Sequence, residues 1–369
     1  MPARFPKTTP GQPLTDLLIN DLSSASSDAK LSRPFQFGSR LLKDEAEVFQ
    51  FNAWDHVDTD DTYKEYAELR YEKQRENPVS EFDKIFRSYL TNPITTSRPE
   101  NIYKYEEVAN IFWEDRFNSD PARWWDNFYK NNTSNFFKNR KWLHQEFPIL
   151  SSITLPDAGP KVLLEVGAGA GNTAFPILAT NQNTELKIHA CDFSKKAVEV
   201  IRENKAYNCE NIKADVWDLS SELLPPGLNE QSVDIVMLIF TFSALSPDQW
   251  KQAVHNIFRV LKPGGEVLFR DYARGDLTQV RFKNGRYLDE NFYIRGDGTR
   301  VYFFEQDELA RIWTDPCNSF EKKREDDTKS GSFKVIDVGI DRRLLVNRAK
   351  QLKMYRCWIQ ASFQKPLDP

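Results

Sequence analysis

Three groups of residues stand at spacings that could build one ligand site. Val162-Leu-Leu-Glu165-Val-Gly167-Ala-Gly169-Ala-Gly171-Asn172 runs from an apolar stretch into a glycine-rich turn, where bare backbone can pass close to a ligand. Cys191-Asp192-Phe193-Ser194 closes a second apolar stretch, and a carboxylate there can accept from both hydroxyls of a ribose. Ala214-Asp215-Val216 closes a third, where Asp215 can accept from an adenine amino group while Val216 packs on the ring. Glu165, just before the glycines, opposes a diphosphate and tolerates a cation.

The glycine spacing separates two cofactor classes. A dinucleotide fingerprint needs its third glycine at position 172, where Asn172 stands, and E-x-G-x-G-x-G is instead the form associated with S-adenosylmethionine. A pyrophosphate wants the free N–H groups of a helix N-terminus, whereas a methionyl sulfonium brings no diphosphate. The expected cofactor contacts are Gly167, Gly169, Gly171, Asn172, Asp192, Phe193, Ser194, Asp215, Val216 and Ile239, with Trp125 and Tyr129 from an upstream aromatic segment. Taken alone, Asp192 also reads as the N-cap of a helix over 194–205. On the acceptor side, Ile239-Phe-Thr-Phe-Ser-Ala244 lacks the N/D-P-P-Y/F tetrad used on exocyclic nitrogens, so a ring nitrogen or a carbon stays open. No Cys stands at a strand end facing this site, which disfavours the covalent route to C5 of pyrimidines.

These residues need a sheet to bring them together. After Pro160, apolar runs alternate with helix-like segments, the pattern of βαβ units and a parallel sheet. Strands are expected near 161–166, 187–191, 211–214, 233–240 and 265–271, with Pro263-Gly264-Gly265 as the turn into the fifth. Two later runs, 333–340 and 354–363, read as an antiparallel pair at the sheet edge. The fold class is therefore α/β and Rossmann-like, a seven-stranded, mostly parallel sheet with an antiparallel edge pair. Upstream, helices are expected over 62–75 and 80–90, and Trp125, Phe128 and Tyr129 fall at the i, i+3, i+4 spacing of a helix with one buried face. Residues 1–33, rich in Pro, Ser, Thr and Asp, read as a disordered arm. The expected division is this arm, an N-terminal helical region over 34–120, and a methyltransferase domain over 121–369.

Composition excludes several classes. The chain has 369 residues, 40% hydrophobic and 28% charged, which is neither collagen-like nor low-complexity. Its longest apolar run, 235–240, is far short of a transmembrane helix. The Cys residues (191, 209, 317, 357) and His residues (56, 144, 189, 255) show no metal-ligand spacing, so no metal is assigned. The first residues lack the apolar stretch of a secretory signal, and the expectation is a cytoplasmic or nuclear protein. With a net charge of −4, any polyanion must be held by local basic patches.

Phe136-Phe-Lys-Asn-Arg-Lys-Trp142 with Glu146-Phe-Pro148, and Phe269-Arg-Asp-Tyr272, resemble the tRNA 3-methylcytidine methyltransferases. Asn291-Phe-Tyr-Ile-Arg-Gly-Asp-Gly-Thr-Arg300 and Val346 to Gln360 match further words of that family. Phe37-Gly-Ser-Arg-Leu-Leu42 and Phe51-Asn-Ala-Trp-Asp55 resemble the branch that modifies cytidine 32 of threonine tRNAs. The similarity covers about 35–57 and 121–365; Asn139 and Lys141 depart from the usual Asp and His. The resemblance implies methyl transfer from S-adenosylmethionine to N3 of a cytidine in the anticodon loop of tRNA, with an accessory protein or aminoacyl-tRNA synthetase as a partner in some relatives. Cytosine N3 carries an in-plane lone pair and no proton, so the reaction needs positioning more than a general base. Asp271 is the expected carboxylate beside N4, Phe136 the stacking wall, and Arg140 the group that holds O2 or a phosphate. Taken alone, Phe136 also reads as core and Asp271 as an ion pair with Arg270 or Arg274.

Basic residues gather where an RNA would need them. Arg342, Arg343, Arg348, Lys350, Lys353 and Arg356 lie in a segment with no acid, and Arg274, Arg281, Lys283, Arg286, Arg295 and Arg300 interleave with Tyr287, Phe292, Tyr293 and Tyr302. Arg270, Tyr272, Lys138, Arg342, Arg343 and Arg348 are the expected substrate contacts. The alternatives are a small-molecule or protein methyltransferase on the same fold, or a cofactor-binding adaptor of another methyltransferase.

Overall fold

The computed structural model describes residues 40–59, 61–79, 117–118, 120–314 and 332–367. The expected arm over 1–33 and helix over 80–90 lie outside the described residues. The strands are β1 (Ala53–Asp55), β2 (Lys161–Val166), β3 (Leu186–Asp192), β4 (Ile212–Val216), β5 (Val233–Ile239), β6 (Leu261–Tyr272), β7 (Tyr287–Asp289), β8 (Phe292–Ile294), β9 (Arg300–Tyr302), β10 (Lys334–Asn347) and β11 (Leu352–Gln364).

The main sheet has the order β1-β10-β11-β6-β5-β2-β3-β4. Strands β2 to β6 pair in parallel, and β11 and β10 add to the β6 edge antiparallel. An eighth strand extends the expected seven: Ala53, Trp54 and Asp55 pair with Leu345, Leu344 and Arg343 of β10. A strand this short carries almost no alternation of its own, and only the exposed edge of β10 makes it one. The Pro263-Gly264-Gly265 turn lies within β6, where the register against β5 shifts between Val233 and Ile235.

Alternation along the buried strands feeds two cores. Leu164, Val236, Val267 and Phe269 face the helices Pro247–Val260 and Gln306–Thr314, while Leu163, Ile188, Ile235 and Leu268 face Leu143–Glu146, Ile149–Ile153, Ala174–Thr180 and Lys195–Arg202. The parallel strands are buried on both sides, which is why they read as near-continuous apolar runs.

A smaller antiparallel sheet, β7-β8-β9, follows β6 and was not expected, since its strands have three residues each. It packs through Tyr293, Val301 and Phe303 against Tyr272 and Phe282. The helix Asp61–Arg75 bridges it to the main sheet edge: Tyr293 Oη donates to Gln74, Arg75 pairs with Glu290, and Tyr63 and Tyr71 bury against Leu344 and Tyr355. No described helix is long and apolar enough to cross a membrane.

Candidate functional site

At the carboxyl edge of β2 the chain enters the glycine turn and bounds a cavity of about 220 Å³. Gly167 and Gly169 sit at φ +67° and +59°, a region that penalises any Cβ. Both are also sterically required. A Cβ at 167 would lie 2.3 Å from the Thr241 methyl group, and one at 169 would lie 2.4 Å from the Tyr129 hydroxyl. Thr241 is itself fixed, donating to the Val166 carbonyl at 2.9 Å. Gly171 is absent from the wall; it packs against Phe175 beneath the turn.

The turn spends its amides internally. Ala168 N–H donates to the Cys191 carbonyl, Gly169 to Asp192, Gly171 to the Ala168 carbonyl and Ala174 to Glu165. A diphosphate would need such groups bare. What the wall offers instead is carboxylate and aromatic surface, which fits a nucleoside carrying a cation.

Asp192 lies on the wall at the end of β3, accepting from Gly169 N at 2.7 Å and Ser194 N at 2.8 Å. Burial pushes its carboxyl up to about 6 against the pull of those amides. The N-cap of the following helix is Ser194, whose hydroxyl accepts from Ala197 N and donates to Asp126 at 2.6 Å. Ser194 therefore anchors the helix Pro121–Asn132 and does not line the cavity, unlike Phe193 beside it.

Asp215 and Val216 do not line the cavity. Asp215 pairs with Arg202 at 3.0 Å, and Val216 is 40% exposed. The chain continues past β4, and Trp217, Asp218 and Leu219 form the wall there. Asp218 is held by a turn of its own, accepting from Ser220 N and Oγ. The carboxylate three residues further on was the available signal.

Trp125, Phe128, Tyr129, Phe136 and Phe137 form the aromatic wall. Phe136 is 58% exposed at the rim, edge-on to Phe128 and Phe137, so the alternative reading of it as core packing does not hold. Burial raises the Tyr129 phenol well above its usual range. Arg140 lines the cavity from below the aromatics, donating to Thr173 at 2.8 Å with Glu165 at 3.9 Å. Burial lowers the Arg140 guanidinium and pushes Glu165 up to about 7. Asn172 closes this corner, donating to Asn139 and to the Phe137 carbonyl.

On the acceptor side, Ile239 ends β5 and Phe240 takes φ +59°, a costly conformation for a bulky residue. The expected strand over 233–240 thus stops one residue earlier, and the reversal sets the Phe240 ring 5.0 Å from Tyr272 on the wall. Asp271 is placed differently from expectation. It is fully buried, accepting from Ser243 N and Tyr272 N at 2.9 Å each, and burial pushes it up to about 6. It braces the turn after β5 from beneath and is absent from the wall, and its ion pairing with Arg270 or Arg274 is absent too.

Arg270 is also buried, sandwiched between the Trp142 and Trp358 rings, and bonded to Gln360 and Asp341. Arg343 joins the same network through Glu146, Asp341 and Asp55. Both were expected to touch substrate, and both are structural because the fold brings Glu146 and Asp341 to Arg270, and Glu146 and Asp55 to Arg343 beside its neighbour Asp341. Lys353 and Arg356 are likewise taken by Glu45 and Asp276. Arg342 lies 3.7 Å from Asp58. Arg348, Lys350 and Lys138 are exposed, away from the cavity wall. The outer wall comes from the turn joining β8 to β9, with Arg295, Asp297, Thr299 and Arg300. No group of three or more potential metal ligands occurs among the described residues.

A family profile described as a methyltransferase domain matches residues 164–267, the span from β2 into β6. A tRNA N(3)-methylcytidine methyltransferase of Schizosaccharomyces pombe is 45% identical over 343 residues, covering 93% of this chain and 96% of that protein. The chain belongs to the tRNA N(3)-methylcytidine methyltransferase family. A tRNA(Thr) (cytosine(32)-N(3))-methyltransferase of Saccharomyces cerevisiae is 47% identical over 335 residues, 90% of this chain and 46% of that protein. The chain thus spans less than half the length of that relative. A Drosophila melanogaster tRNA N(3)-methylcytidine methyltransferase is 37% identical, with 91% and 90% covered. The family's methyltransferase segment carries Gly167, Gly169, Asp192 and Asp218, while the aromatic wall and the β8–β9 turn are contributed from outside it.

Proposed function

We propose that the protein transfers a methyl group from S-adenosylmethionine to N3 of cytidine 32 in the anticodon loop of tRNA, with threonine tRNA as substrate. The observation that carries this reading is the near full-length match to a tRNA N(3)-methylcytidine methyltransferase, together with a cavity whose inner half suits an adenosyl group and whose outer half is aromatic and polar. S-adenosylmethionine, when bound, supplies an electrophilic methyl on a sulfonium. Asp192 would accept from the ribose hydroxyls, Asp218 and Leu219 would hold the adenine, and Trp125 and Tyr129 would close over the methionyl arm. The N3 lone pair is the nucleophile, so the residues around it orient the base and exclude water. Phe136 at the rim and Phe240 with Tyr272 inside offer faces on which a flipped pyrimidine can stack.

Incubation of the purified chain with labelled S-adenosylmethionine and threonine tRNA, followed by nucleoside digestion and mass identification, tests the reading. The expected product is 3-methylcytidine, lost with Gly169→Ala. A label appearing on protein or small molecules and not on tRNA would replace it with one of the other methyltransferase readings.

A further inference from the structure

We propose that the β8–β9 turn reads the edge of the acceptor base, Arg295 donating to the pyrimidine O2 and Asp297 accepting from the exocyclic amine. This deepens the function proposed above and rests on it. Cytosine presents O2 as an acceptor and N4–H2 as a donor on either side of N3, so one donor and one acceptor can grip the base and leave N3 open to the methyl. Uracil would meet the same carboxylate with O4, an acceptor, and be rejected.

Both side chains stand on the cavity wall with capacity to spare. Asp297 uses Oδ1 for Thr299 N and Oγ1, at 3.0 and 2.7 Å, and Oδ2 has no partner among the described residues. Arg295 lies 5.3 Å over the Tyr272 ring, and its Nη1 donates to the Arg300 carbonyl at 3.3 Å. Among the described residues it forms no ion pair with any carboxylate, Asp297 included. The other wall carboxylates, Asp192 and Asp218, belong to the β3 and β4 ends on the cofactor side. Asp271, the carboxylate expected from the sequence, is fully buried beneath the cavity, accepts from the Ser243 and Tyr272 amides and is absent from the wall.

The turn is also rigid enough to read a base. Gly298, at φ +88°, is seated so closely on Trp124 that a Cβ would lie 2.1 Å from its ring. Arg300 ties the end of the turn to the Ala244 carbonyl, Gln249 and Asn118. Preorganised groups of this kind lose little on binding and discriminate sharply.

The test compares threonine tRNA carrying cytidine at position 32 with the same tRNA carrying pyrimidin-2-one ribonucleoside there, which keeps O2 and N3 and lacks the amine. The unaltered chain should prefer cytidine by about tenfold or more in kcat/KM, the loss expected when a built hydrogen-bond site meets an analogue without the group. Asp297→Asn keeps the Thr299 hydrogen bonds and turns an amide N–H toward the amine; its preference should fall by about tenfold from that of the unaltered chain, to the remainder set by the weaker N3 nucleophile of the analogue, with S-adenosylmethionine affinity unchanged. Arg295→Ala should lower kcat/KM for both substrates alike, because both keep O2. Equal rates on the two substrates by the unaltered chain overturn the inference without any variant, as does a full preference retained by Asp297→Asn. If the unaltered chain methylates neither tRNA at position 32, the proposed function fails first and takes this inference with it.

Discussion

Asp192 holds the glycine turn and faces the cavity with the same carboxylate, and that double use makes its charge matter. Its acid is pushed up to about 6 by burial, and the ionised form is the one that accepts from ribose hydroxyls. Cofactor affinity should therefore weaken as pH falls through about 6 and level off above it, in titration calorimetry with S-adenosylmethionine between pH 5 and 8. Asp192→Asn should bind weakly and with little pH dependence; a steep profile in that variant would place the titrating group elsewhere. Gly169→Ala is expected to abolish cofactor binding, because the new Cβ must displace the Tyr129 hydroxyl and residue 169 holds a positive φ that penalises any side chain. At this scale the glycines and Asp192 are legible, since backbone clearance and a strand-end carboxylate depend on local spacing. Asp218 stands in the sequence only as the next carboxylate after Asp215, and which of the two meets the cavity depends on how the chain turns after β4.

Elements hold one another through buried charge. Segment 136–142 and β2 meet at Arg140 and Glu165, and Glu165 titrates at about 7 against 4.5 for the free group. A raised acid binds its proton more tightly folded than unfolded, so the stability it contributes is full below about 4.5 and lost as pH rises through about 7. Glu165→Gln should flatten that part of the stability–pH profile, measured by thermal melting of the ligand-free protein. An unaltered slope would mean that Glu165 is already ionised in the fold. Further along, Glu146 ties the helix Leu143–Glu146 to β10 through Arg343 and to β11 through Gln360. Glu146→Ala should cost about 2 kcal/mol in chemical denaturation, because it removes one carboxylate from a buried charge network and leaves the Gln360 amide without its acceptor. A cost below 1 kcal/mol would show that Asp341 and Asp55 suffice.

Across the whole molecule, register points the cavity and one basic feature the same way. Trp358 of β11 pairs with Tyr272 at the carboxyl end of β6, and β11 begins six residues earlier, at Leu352. At about 3.3 Å per residue the β10–β11 hairpin therefore projects about 20 Å past the sheet edge that bears the cavity. Its turn carries the exposed Arg348 and Lys350. If these meet the phosphates of a bound tRNA, Arg348→Glu with Lys350→Glu should weaken tRNA binding about tenfold and reduce the salt dependence of log Kd by about two. Cofactor affinity should stay unchanged; a tRNA affinity that stays unchanged too would remove the hairpin from the interface.

The sequence by itself determined the parallel sheet and its glycine turn, because burial on both faces writes continuous apolar runs and the turn demands glycine where a Cβ would collide. It also carried the family's words at Phe136 to Trp142 and Asn291 to Arg300. Only the tertiary structure decided which charges are free. Arg270, Arg343, Lys353 and Arg356 look available until strands and helices distant in sequence bring Glu146, Asp341, Glu45 and Asp276 to meet them. It likewise buried Asp271 beneath the cavity and set Asp297 on its wall, since which carboxylate reaches the cavity depends on how a second small sheet packs against the first.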